Sequence, residues 1–95
     1  MHIEFDPAKS GKNLEECGLS FADATLLFDG PRLEWKDRRK DYGQIRINTL
    51  GEIEGRIFFV AFTRRGEAIR IISFRKANSR EIERYRGQFR AGGED

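Results

Sequence analysis

Residues 56–85 read RIFFVAFTRRGEAIRIISFRKANSREIERY, and their pattern decides the fold. Ile57-Phe58-Phe59-Val60-Ala61-Phe62-Thr63 is nearly all apolar and too short for a long buried helix, which predicts a central strand covered on both faces. Arg64-Arg65-Gly66-Glu67 makes the turn, and Ala68 to Arg75 returns as an antiparallel neighbour. Strict alternation puts Ile69, Ile71, Ser73 and Arg75 on one face of that strand and Arg70, Ile72 and Phe74 on the other. Asn78 or Ser79 then caps a last helix. Glu81 and Glu83 fall near its positive end, and Arg84, Arg86 and Arg90 towards its negative end, as the helix dipole favours.

Upstream, Ile3-Glu4-Phe5 alternates as a short strand, and Asp6-Pro7 opens a helix that stops at Cys17-Gly18. Ser20 caps a second helix carrying Phe21, Ala24, Leu27 and Phe28 at helical spacing, ended by Asp29-Gly30-Pro31. Arg32 to Lys36 is a plausible strand. Asp37 to Asp41 reads as a solvated charged turn, and Gln44 to Leu50 as a strand turning Ile45 and Ile47 inward, with Gly51 and Gly55 bracketing a hairpin. The expected order is β-α-α-β-β-β-β-α, an α+β domain with a mostly antiparallel sheet packed with helices. Residues 1–90 form the single domain and residues 91–95 a flexible tail.

Ninety-five residues leave room for one small core, and 38% hydrophobic side chains with eight Phe suffice to fill it. No run is apolar enough for a membrane span, and the N-terminal stretch is acidic and mixed where a secretory signal is basic then apolar, so a cytoplasmic protein without membrane contact is expected. A single cysteine, Cys17, and a single histidine, His2, exclude an internal disulfide and a Cys/His zinc site. No phosphate-binding GxxxxGK[ST] loop, GxSxG elbow or acidic metal cluster is present, and no cofactor or metal is expected.

The small net charge of +2 conceals a division. Between Arg64 and Arg90 nine Arg or Lys face three Glu, and eight of the nine are Arg, the side chain that grips phosphate bidentately. A polyanion is the natural partner class; the plain alternative is a solvated cationic surface. Cleavage within an RNA strand needs a base for the 2′-hydroxyl, cations for the phosphorane and an acid for the leaving oxygen. Ser73, sharing a face with Arg75, suits a phosphate oxygen, or equally a cross-strand packing role. Lys76 and Arg80 lie where the strand gives way to the last helix and can hold an anion there. His2 is a candidate acid or base, Tyr85 a stacking or core residue, and Trp35 a base-stacking platform or a buried ring.

The strings IEFDPAKSGKN, GLSFADATLLF, DRRKDYGQIR and above all RIISFRKANSREIERY, in order across residues 3 to about 85, resemble the BrnT family, the toxin half of a bacterial type II toxin–antitoxin module. The resemblance implies a RelE-like fold and a ribonuclease that cleaves RNA and halts translation. It also implies a BrnA-like antitoxin partner, which neutralises the toxin and reaches operator DNA through its own DNA-binding domain. The resemblance carries the family's basic positions onto Arg64, Arg70, Arg75 and Lys76, with Ser73 in the same string: Arg64, Ser73 and Arg75 are the catalytic candidates, and Arg70, Lys76 and Arg80 the RNA-binding ones. Two departures stand out, Glu16-Cys17-Gly18 where relatives carry Lys-His-Gly, and Tyr42-Gly43-Gln44 where they carry Tyr-Gly-Glu. These motivate an alternative, an attenuated homologue that acts as an antitoxin-binding co-repressor. A plain RNA-binding module is a third reading, marked by steep salt dependence and no cut ends.

Overall fold

A computed structural model describes residues 2–38 and 44–93, with side chains to residue 89. Strand β1 (His2–Glu4) leads into α1 (Pro7–Cys17); a 3₁₀ turn (Phe21–Asp23) runs into α2 (Ala24–Phe28). Strands β2 (Arg32–Lys36), β3 (Arg46–Ile53), β4 (Arg56–Arg65) and β5 (Ala68–Lys76) precede the last helix, α3 (Ser79–Gly93). The five strands form one sheet in the order β1-β5-β4-β3-β2, antiparallel except for the parallel β1–β5 pair. This is the α+β architecture the apolar pattern implies. The helix α3 is continuous to Gly93, past Ala91 where a loose tail was expected, and residues 94–95 lie outside the described residues.

Local chemistry sets the helix ends. The Asp6 carboxylate accepts the Ala8 N–H at 2.9 Å, Pro7 occupies the first turn, and Gly18 closes α1 at φ 78° with its N–H on the Leu14 carbonyl. The buried Ser10 hydroxyl accepts the Phe21 N–H at 2.9 Å, which ties α1 to the 3₁₀ turn. Central strand β4 is buried without a break from Ile57 to Thr63, because both faces of the sheet are covered. On one side, beneath α1 and α2, Val60, Phe58 and Phe62 of β4 meet Phe21, Leu27, Ile69, Ile71 and Phe74. On the other, beneath α3, Leu50, Ile57, Phe59 and Ala61 meet Tyr85, with Trp35, Ile72 and Phe89 around them. Each fully buried Phe or Leu contributes roughly 1.5–3 kcal/mol through area removed from water.

Four expectations are corrected. The β3–β4 turn is Glu54-Gly55, both at positive φ as a tight two-residue hairpin demands, so Gly51 lies within β3. Ile45 precedes β3 and is 60% exposed, while Ile47 does pack inward. Asp37 is buried, its N–H on the Arg46 carbonyl at 2.8 Å; of the expected charged turn Arg38 is exposed, and Arg39 to Asp41 lie outside the described residues.

The fourth concerns β5. Ala61 pairs with Ser73 but Phe62 pairs with Ile71, so Ile72 is one residue too many in the ladder. Such a bulge reverses the alternation on one side of it. Ile69, Ile71 and Phe74 therefore share the α1 face, while Ser73 and Arg75 turn to the α3 face together with Ile72. Arg70, between two residues of the α1 face, falls on the α3 side as well.

Gly51 sits directly over Leu27, which has no exposed surface; a Cβ there would lie 2.6 Å from Leu27 Cγ. Gly51→Ala should therefore cost about 1–3 kcal/mol, read as a lower urea midpoint with an unchanged slope.

Candidate functional site

The α3 face of the sheet is only partly covered by the helix. Pairing register lays Trp35, Asn48, Ala61 and Ser73 in one row across β2, β3, β4 and β5, all on that face. The parallel row Leu50, Phe59, Arg75 runs beside it. Ala61 and Ser73 are small, and Trp35, Phe59 and Arg75 beside them are large, so the row sinks into a cleft of about 430 Å³. Its remaining lining comes from Asp37, Arg46 and Glu81.

Arg75 is held from three directions. Its two terminal nitrogens donate to the two carboxylate oxygens of Glu81 at 2.8 and 2.9 Å, and one of them also donates to the Lys76 carbonyl at 3.2 Å. The guanidinium carbon lies 4.1 Å from the centre of the Phe59 ring. Glu81 is itself anchored: it accepts the Asn78 N–H at 2.9 Å and gives its own N–H to Asn78 Oδ1 at 2.8 Å. This reciprocal pair is a capping box, so the same carboxylate that starts α3 also sets the plane of Arg75. Hydrogen bonds from Arg75 are the main reason the Glu81 carboxyl is held below the usual glutamate range; partial burial opposes them, and the Asn78 N–H and the arginine's charge add to them.

Trp35 walls the other end. Arg84 of α3 lies 4.1 Å from its ring centre, fixing the indole. Between these ends, Asn48 is only 5% exposed, and its Oδ1 has no hydrogen-bond partner among the described residues.

Of the sequence-predicted residues, the structure brings Trp35, Ser73 and Arg75 together and sends the others elsewhere. Arg64 faces the opposite side of the sheet, 5.8 Å over the Phe62 ring, beside Lys36, Ile45 and Ile47. Arg70 lies across the sheet from Thr63, beyond the cleft lining. Lys76 is exposed and lines neighbouring grooves with Arg56, and Arg80 is exposed on the first turn of α3. Tyr85 is core, donating from its hydroxyl to the Pro31 carbonyl at 3.4 Å. His2 is exposed and 3.9 Å from Glu4, on the far edge strand. Cys17 lines a groove with Lys76 and Glu54, and Gln44 is exposed; neither lines the cleft. Tyr42 lies outside the described residues.

Asp37, Arg46, Asn48 and Glu81 were missed. Glu81 had a signal, three residues after Asn78. Arg46 and Asn48 lie on β3 and Asp37 just after β2, and only the folded sheet brings them into one lining with Ser73.

Residues 5–81 match the model of a family described as the ribonuclease toxin BrnT of type II toxin–antitoxin systems. No curated protein matches the chain.

A carboxyl whose folded pKa is depressed stabilises the fold above its unfolded value of roughly 4.3 and loses that contribution as pH falls through the lower folded value. Arg75 is 41% exposed and Glu81 17%, so solvent screening limits the pair to about 1 kcal/mol. Glu81→Gln should lower the urea midpoint at pH 7, and the gap to wild type should narrow as pH falls through the lowered folded value of this carboxyl.

Proposed function

The chain belongs to the BrnT family, ribonuclease toxins of type II toxin–antitoxin systems, and we propose that its cleft on the α3 face is where RNA is cut. The observation that carries this is the meeting of Arg75, Arg46 and Ser73 around one depression, with two carboxylates in the same lining. Arg75 and Arg46 oppose the charge that builds on the phosphorane, and the Ser73 hydroxyl donates to a phosphate oxygen. Arg75 holds the Glu81 carboxyl low, which makes it a poor base. The proton of the 2′-hydroxyl is assigned to Asp37, the other carboxylate of the lining. The 2′-oxygen then bonds to phosphorus as the bond to the 5′-oxygen breaks, the departing oxygen taking a proton from solvent. Products are a 2′,3′-cyclic phosphate and a 5′-hydroxyl end.

In this reading the cationic catalysts are guanidinium groups, so cleavage proceeds in EDTA. Acting in the cytoplasm, such an enzyme halts translation by destroying its templates. A type II toxin works with an antitoxin, here a BrnA-like protein that silences the enzyme by binding it and that alone contacts operator DNA. A RelE-like character of the fold is supported by its mostly antiparallel sheet with helices on both faces. In this reading Lys76 and Arg80, at the β5–α3 junction, and Arg70, near the start of β5, steer the RNA strand towards the cleft. Arg64, on the opposite face, has no catalytic part in this scheme. The attenuated-toxin alternative draws no support from Cys17 and Gln44, which lie outside the cleft.

Purified folded protein should cut RNA in EDTA and leave cyclic phosphate ends. Arg75→Ala should lower kcat/KM on the order of 10²–10³-fold, and Asp37→Asn on the order of 10²–10⁴-fold, while Arg64→Ala stays near wild type. Intact RNA with the folded wild type, or loss of activity in Arg64→Ala alone, contradicts the assignment.

A further inference from the structure

We infer that the Trp35 end of the cleft is a nucleobase subsite, where the Asn48 amide pairs with a base edge while the indole stacks on the base. The inference rests on the ribonuclease reading and deepens it, by naming the part of the RNA gripped besides phosphate.

Asn48 provides the first argument. A polar side chain 95% buried is normally fully paired, because an unpaired buried acceptor forfeits its hydration without return. Asn48 Oδ1 has no partner among the described residues, and the residue lines the cleft. A half-turn of the amide exchanges Oδ1 and Nδ2 within the same volume, so the side chain can present an acceptor beside a donor. The pairing edge of an unstacked nucleobase offers the complement, a donor beside an acceptor. A phosphodiester offers acceptors only.

Trp35 provides the second. It lies directly opposite Asn48 in the β2–β3 register, so the two Cβ atoms are about 5 Å apart on one face. Arg84 already holds the indole, 4.1 Å from its centre, so little freedom is lost when a base stacks on it.

The third argument is spacing. Asn48 and Ser73 are separated by one strand, β4, and so by about 10 Å. That is the reach from base edge to phosphate within one nucleotide, so a base on Asn48 sets its own phosphate against Ser73 and Arg75. Substrate recognition and phosphate placement are then parts of one seat.

Trp35 is the single tryptophan, so its emission reports this end of the cleft directly. The full chain is titrated with 3′-AMP and, as the probe lacking a base, with ribose 5-phosphate. Saturable quenching by 3′-AMP is expected, with ribose 5-phosphate on the order of 10-fold weaker or more. Asn48→Leu should weaken 3′-AMP on the order of 10-fold and leave ribose 5-phosphate unchanged. Arg84→Ala, at an exposed residue, tests the same seat without touching the core and should weaken 3′-AMP several-fold while sparing ribose 5-phosphate. Equal affinity for the two probes, or unchanged 3′-AMP affinity in either folded variant, overturns the subsite. Base-dependent binding in a chain that cuts no RNA upholds the subsite and sinks the ribonuclease reading; cutting without base-dependent binding does the reverse.

Discussion

A single surplus residue in β5 governs which side chains the sheet offers to solvent. Without the register shift at Ile72, Ser73 and Arg75 would follow Ile69 and Ile71 into the core beneath α1. Burying a guanidinium there, with no partner, would cost several kcal/mol. With the shift, apolar residues on both sides of it still fill the core, and the polar pair emerges on the α3 face opposite Ala61 and Phe59. The bulge thus lets one strand serve two purposes: its first half packs against helices and its second half builds a cleft.

Everything beyond that point depends on Arg75 being stationary. A free arginine carries about 2 kcal/mol of rotamer entropy that phosphate binding would have to overcome. Here Glu81 fixes the plane of the fork and Phe59 supports its face. Because Glu81 also caps α3, the position of the helix and the aim of the arginine are coupled. The same carboxylate keeps the cleft from being strongly cationic: Arg46 and Arg75 are balanced there by Asp37 and Glu81. The large positive excess between Arg64 and Arg90 is spread along the β4–β5 hairpin and α3, where it attracts a polyanion without holding it in one register.

Element identity was legible because it rests on local signals: Asp6-Pro7 and Gly18 around α1, the unbroken apolar run of β4, and Asn78 with Glu81 at the start of α3. The cleft was legible only in part. Ser73 and Arg75 were correctly paired, but through an alternation that the bulge breaks; both were moved to the other face together, so their partnership survived. Arg64 lies on the opposite face, because adjacency in sequence to a central strand does not say which face a terminal residue takes. Asn48 and Arg46 carried no local mark, since a polar residue in a strand reads as solvent-facing until the register places a cleft beneath it. Asp37 read as part of a charged turn, and only its burial in the cleft lining shows it turned inward.

Mapping where RNA lies tests the central claim most directly. Isotope-labelled protein titrated with a short RNA whose 2′-hydroxyls are replaced by hydrogen, so that it binds without being cut, should show amide and side-chain shifts concentrated at Trp35, Asn48, Arg46, Ser73 and Arg75. Shifts gathered instead around Lys36, Ile47 and Arg64, with the α3-face residues unmoved, would contradict the account and place the nucleic-acid surface on the other side of the sheet.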